Sequence, residues 1–123
     1  LKLLIDSLKM MFPDKKLIAI FQPHLFSRTK DFGSEFAEQL SRFDELFLLP
    51  IYAAREKEVI GISSDWLLSM VDLKHKSVVE TTKVLEIMKD TKEGVVLTIG
   101  AGDIDRLISP LHKILLQNIT HTI

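Results

Sequence analysis

The sequence predicts a single doubly wound, Rossmann-like α/β domain, a mostly parallel sheet flanked by helices. Short, continuously apolar runs of strand length alternate with segments whose apolar residues recur at helical spacing. Strands joined through helical crossovers must run parallel. The polar, turn-rich segments after the first, second and fourth strands all fall at carboxyl ends. They therefore converge on the sheet edge where such folds bind ligands.

Leu1, Leu4, Ile5, Leu8, Met11 and Phe12 form an apolar helical stripe. A helix that opens on its buried face without a cap reads as cut from something longer, so the chain is expected to be the last domain of a larger protein. A processed small protein is the alternative. Leu17-Ile18-Ala19-Ile20-Phe21 is the first strand, ended by Pro23, which lacks a ladder donor and disfavours helix at Gln22. Phe32, Phe36, Leu40 and Phe43 then predict a helix with Asp31 as its N-cap.

Leu46-Phe47-Leu48-Leu49 is the second strand, ended by Pro50 and followed by a polar loop from Tyr52 to Glu58. Ser63 is expected to cap the next helix, whose buried side is Trp66, Leu67, Met70 and Val71. Ser77-Val78-Val79 forms a short strand. Thr81 or Thr82 caps a helix carrying Val84, Leu85, Ile87 and Met88. Gly94 precedes the clearest strand, Val95-Val96-Leu97-Thr98-Ile99. Gly100-Ala101-Gly102 turns it into a last helix capped by Asp103, with a kink or break expected at Pro110.

Composition narrows the class. With 123 residues and 46% hydrophobic content, the chain can build one core. Sixteen basic and 17 acidic residues leave a formal charge of −1, which argues against a broad basic face for nucleic acid or membranes. No cysteine is present for disulfides or thiolate metal sites. No apolar run approaches the roughly 20 residues that cross a bilayer. Asn118-Ile119-Thr120 matches a glycosylation acceptor by chance.

The chemistry concentrates after the first strand. His24, Ser27, Arg28, Thr29 and Asp31 place an imidazole, a guanidinium, two hydroxyls and a carboxylate within eight residues. Arg28 can hold a carboxylate or phosphoryl oxygen through two parallel hydrogen bonds. A plain alternative is a surface ion pair with Asp31 or Glu35, a contact that contributes only about 0–1 kcal/mol. His24 is either its neighbour in a pocket or a loop anchor. Thr29 could simply brace the turn. Ser27 lacks nucleophile-elbow glycines and an activating base, which excludes a hydrolase. Tyr52 and Arg55 either border the same cleft or are solvated. The glycines at 100 and 102 permit a tight turn rather than a dinucleotide site, since Asp105 occupies the third glycine position of that fingerprint. His75, His112 and His121 show no ligand spacing.

Phe21-Gln22-Pro23-His24 followed by Ser27-Arg28-Thr29-Lys30-Asp31 resembles the C-terminal domain signature of the Mur ligases, specifically of the UDP-N-acetylmuramate–L-alanine ligases. Three further segments agree in order and spacing: Pro50-Ile51-Tyr52-Ala53-Ala54-Arg55-Glu56, Gly61-Ile62-Ser63-Ser64, and Leu97-Thr98-Ile99-Gly100-Ala101-Gly102-Asp103-Ile104. Leu25 stands where the family commonly has arginine, so any charged contact from that position is missing or supplied elsewhere. Pro50 is a second departure. The family's histidine-histidine-proline opening would lie upstream of Leu1.

The resemblance implies a bacterial, cytoplasmic ligase of peptidoglycan synthesis with UDP-N-acetylmuramate and L-alanine as substrates. ATP would phosphorylate the sugar acid's carboxylate, and the amine of L-alanine would attack the acyl phosphate. ATP and Mg²⁺ would be held mainly by a central domain, against which this domain closes. No Gly-Lys-Ser/Thr phosphate loop occurs here, so this chain alone is expected to be inactive, with no catalytic residue and no metal of its own. The implied substrate-binding residues are His24, Arg28, Ser27, Thr29, Asp31 and Tyr52, with Arg28 orienting the L-alanine carboxylate. A stand-alone flavodoxin- or receiver-like binding module, or a dimerisation domain, is the competing class, although a receiver's acidic cluster is absent after the first strand.

Overall fold

The computed structural model describes residues 1–100 and 102–121, with side chains through Leu116. The chain runs α1 (Lys2–Met11), β1 (Leu17–Gln22), α2 (Phe26–Leu40), β2 (Glu45–Leu48), α3 (Ser64–Ser69), β3 (Lys76–Val78), α4 (Val84–Met88), β4 (Val95–Gly100) and α5 (Ile108–His121). Two 3-10 turns, Thr81–Lys83 and Asp103–Leu107, lead into α4 and α5. All four strands are parallel in the order β3-β2-β1-β4, so the doubly wound expectation holds.

Strand alternation decides which helices go where. Leu17, Ala19 and Phe21 of β1 pack with Leu46 and Leu48 into one core, covered by Ile5 and Leu8 of α1, Ala37 and Leu40 of α2, and Leu67 of α3. Ile18 and Ile20 point the other way, against Val84 and Met88 of α4, Ile104, Leu107, and Leu111 of α5. All six β1 residues are buried, as a central strand covered on both faces requires. Each fully buried aliphatic side chain stabilises the fold by about 1.5–3 kcal/mol.

Several local expectations need correction. Asp31 does not cap α2; the helix begins five residues earlier at Phe26, leaving Asp31 exposed in its second turn. The chain turns instead at Leu25, whose φ of 66° breaks the extended run, while a distant carboxylate from Glu56 takes up the Ser27 amide. Neither Thr81 nor Thr82 caps α4, because both lie within the 3-10 turn that precedes it. Met70 is exposed beyond the end of α3 rather than on its buried side. Asp103 caps nothing; it opens a 3-10 turn whose Ile104 amide donates to the Gln22 side chain.

The cap expected on α3 holds: the Ser63 hydroxyl accepts from the Trp66 amide at 3.1 Å. The break expected at Pro110 is not there: the change from 3-10 turn to α5 comes earlier, between Leu107 and Ile108, and α5 runs through Pro110. Pro110 is the third residue of that helix, where its missing N–H removes no intrahelical bond. The expectations for Ala101 and for the side chains of Asn118, Thr120 and His121 lie outside the described residues.

Candidate functional site

β1 is where the winding reverses: β2 and β3 lie outward on one side, and β4 returns to the other. The crevice beyond the carboxyl ends of β1 and β4 is therefore the topological switch point. A cavity of about 230 Å³ occupies it, lined by Phe21, Gln22, His24, Arg28, Phe36 and Gly100. His24 and Arg28 thus share one concavity, with two phenylalanines as apolar walls.

His24 is fixed from the neighbouring loop. It forms a parallel bridge with Tyr52, and the two rings stack with centroids 5.9 Å apart and 16° between planes. The Tyr52 amide donates to the Pro23 carbonyl at 2.8 Å, and the Leu25 amide donates to the Tyr52 carbonyl at 2.9 Å. Tyr52 also meets Gly102, where an added Cβ would lie 2.5 Å from the ring. Gly100 similarly abuts the Gln22 backbone, with 2.5 Å from an added Cβ to the Gln22 oxygen. The glycines therefore serve close packing, and the loops after β1, β2 and β4 meet as expected.

Arg28 is the third residue of α2 and is exposed. Among the described residues it makes no ion pair, so the alternative surface pair with Asp31 or Glu35 does not form. The remaining candidates sit differently. Thr29 is fully buried, and its hydroxyl donates to the Leu25 carbonyl at 2.7 Å, bracing the turn. The Ser27 hydroxyl donates to Glu56 Oε2 at 2.5 Å, and its amide to Oε1 at 2.8 Å. Asp31 is exposed on α2 and does not line the cavity. Arg55 is also exposed and outside the cavity lining.

Two structural partners escaped sequence reading. Glu56 grips Ser27 from 29 residues away, and these two hydrogen bonds hold its carboxyl below the ordinary glutamate value, with a smaller attraction from His24. Gln22 is 2% exposed; its amide donates to the Pro50 carbonyl at 3.2 Å and its oxygen accepts from Ile104 at 2.9 Å. An amide ending an otherwise apolar strand was the available signal, since a buried polar group needs partners.

The site can receive a small anion: one guanidinium without a described partner, one propped imidazole, and apolar walls that limit competition from water. A larger cavity of about 460 Å³ lies at the opposite, amino-terminal end of the sheet, beside Phe12, Gly94, Val95 and Leu115. Lys15 and Lys92 also line it, but it lies at the amino ends of the strands, away from the switch point and from the ligase-like segments, so size alone does not make it the better site. Among the described residues, no group of three His, Asp or Glu could hold a metal ion. No described helix is long and apolar enough to cross a membrane.

No protein-family model matches the chain. It is 46% identical over 108 residues to the UDP-N-acetylmuramate–L-alanine ligase of Flavobacterium psychrophilum, an alignment covering 88% of this chain and 24% of the relative. The corresponding ligase of Cytophaga hutchinsonii is 48% identical over 111 residues, covering 90% of this chain and 24% of the relative. That of Porphyromonas gingivalis is 41% identical over 112 residues, covering 90% and 25%.

The chain belongs to the UDP-N-acetylmuramate–L-alanine ligase family.

It spans about a quarter of the length of these relatives. The four segments that resemble this ligase family now have places in the fold. Residues 21–31 supply the cavity wall and the start of α2, and residues 50–56 supply Tyr52 and Glu56. Residues 61–64 carry the cap of α3; residues 97–100 end β4, and Gly102 and Ile104 beyond it meet Tyr52 and Gln22. Three of the four ligase-like segments therefore meet at one sheet edge.

Proposed function

We propose that this chain is the C-terminal domain of a UDP-N-acetylmuramate–L-alanine ligase, closing over substrates held by the preceding domains. The observation that carries the reading is the shared cavity of His24 and Arg28 at the switch point, within ligase-like motifs. Arg28 binds and orients the carboxylate of L-alanine through paired N–H donors, leaving the amine directed outward toward the reacting carbonyl. His24 donates a further hydrogen bond or bounds the anion's position, while Tyr52 keeps its ring in place. Identity to ligases along about nine-tenths of the chain favours this over a stand-alone module.

ATP and Mg²⁺ do not fit the residues present here. The chain has no glycine-rich Lys-Ser/Thr loop, and no acidic cluster occurs among the described residues. Their binding belongs to the central domain, and this chain contributes amino-acid binding and closure. The cytoplasm is the compartment where a nucleotide-sugar substrate and ATP would meet such an enzyme.

A structure of the complete ligase with L-alanine tests the reading. The carboxylate is expected within hydrogen-bonding distance of the Arg28 guanidinium. An amino acid bound away from both His24 and Arg28 would overturn it. The 123-residue chain alone is expected to release no phosphate from ATP.

A further inference from the structure

We propose that Glu56 is a positioning residue for the anion site: by gripping the amide and hydroxyl of Ser27 it sets the first turn of α2, and with it Arg28. The inference rests on the proposed amino-acid-binding role of Arg28.

The start of α2 needs outside support. Its N-cap position is Leu25, an apolar residue with φ 66° and ψ 138° and no side-chain cap. That backbone region is almost the preserve of glycine and costs on the order of 1–3 kcal/mol for other residues. Something must hold the turn there and satisfy the orphan amides of the first helical turn. The Tyr52 carbonyl fixes the Leu25 amide, and Thr29 fixes the Leu25 carbonyl. Neither contact reaches the N2 position. Glu56 does, through the 2.8 Å bond to the Ser27 amide and the 2.5 Å bond to its hydroxyl.

The geometry matters because Arg28 is the next residue. A carboxylate at a helix N-terminus also complements the helix dipole, so it favours this start of α2 over a start further along. Without it, the expected alternative is unwinding of the first turn toward Asp31, a residue type suited to capping. Arg28 would then leave the helix and its place on the cavity wall. Glu56 does not line the cavity, so it acts through Ser27 and not on the substrate.

The test uses the complete ligase and steady-state kinetics. Glu56→Ala removes both acceptors, and Glu56→Gln keeps the side chain's size but loses the charge and can meet the hydroxyl only with its NH2, so that the hydroxyl must turn and accept. The Michaelis constant for L-alanine is expected to rise about tenfold or more, with that for UDP-N-acetylmuramate unchanged. Adding Ser27→Ala to Glu56→Gln should produce little further change, because the two act as one unit. Glu58→Ala, in the same loop, should leave the kinetics alone. Wild-type affinity for L-alanine in both Glu56→Gln and Glu56→Ala would overturn the proposal. So would a loss of affinity for every substrate together, or melting below the assay temperature, which would make Glu56 a general support. If Arg28→Ala also has no effect, the amino-acid-binding reading fails; if Arg28→Ala is impaired while Glu56 variants are normal, only this inference fails.

Discussion

Gln22 and Ile104 are separated by 82 positions, yet the Gln22 side-chain oxygen accepts the Ile104 backbone N–H at 2.9 Å. The same amide group donates to the Pro50 carbonyl. One buried side chain at the end of β1 thus ties together the loops that follow β2 and β4. Gln22→Leu would leave the half-buried Pro50 carbonyl and the buried Ile104 amide without their bonds, the latter at a cost of about 1–3 kcal/mol. Denaturant titration should show the midpoint falling at unchanged slope. A Gln22→Leu protein as stable as the parent would mean that the tie is dispensable.

Arg28→Ala should weaken the complete ligase by about ten- to a hundredfold in kcat/KM for L-alanine, the range expected for one hydrogen-bonded ionic contact. Arg28→Lys should recover only part of this, since a point charge cannot reproduce the paired donors. Thermal stability should scarcely change, because Arg28 is exposed and has no described ion-pair partner. Initial-rate measurements with L-alanine varied give the answer.

Gly102→Ala should be disruptive on two counts. The residue has φ 100°, and an added Cβ would lie 2.5 Å from the Tyr52 ring. Strain of this kind costs on the order of 1–3 kcal/mol. Because Tyr52 stacks on His24, the defect should appear as weaker L-alanine binding as well as a lower melting temperature. Unaltered values for both would show that the loop yields freely.

Acid should loosen the Glu56 clamp. Its carboxyl titrates below the ordinary value in the folded chain, chiefly through the Ser27 hydroxyl and amide, so the charged form favours folding. That contribution is complete above the unfolded glutamate range, near pH 4–5, and is lost as the pH falls through the lower folded value. Asp6, held low by its bonds to Arg42 and Lys2, should lose its contribution in the same direction. Glu56→Gln should therefore flatten part of the acid-side stability curve while Asp6→Asn flattens another part. Superimposable curves for Glu56→Gln and the parent would contradict the assignment.

Much of this was legible because periodicity reports burial. The run 17–21 reads as a strand buried on both faces, and the structure buries every residue of it. Pro23, Pro50 and Gly94 stand beside strand ends for local reasons, whereas Pro110 lies inside α5. Capping was harder to read. Asp31, Thr81, Thr82 and Asp103 have the right chemistry, but α2 is started by Leu25 with Glu56, and the turn after β4 by Gly102 with Gln22. Those partners come from 29 and 82 residues away, a distance no local pattern encodes. The site shows the same division: His24, Arg28 and Tyr52 gather as their positions at strand ends dictate, whereas Ser27 and Thr29 are committed to internal bonds.

The turn at Leu25 carries an implication for how this loop can change over time. What the position contributes is main chain: its N–H meets Tyr52 and its carbonyl meets Thr29, while the isobutyl group makes none of these bonds. An unbranched or γ-branched replacement could therefore exchange charge for grease, or grease for charge, without disturbing the hinge from which Arg28 hangs. Side-chain character and the main-chain tie are separable traits here, written into neighbouring atoms of one residue.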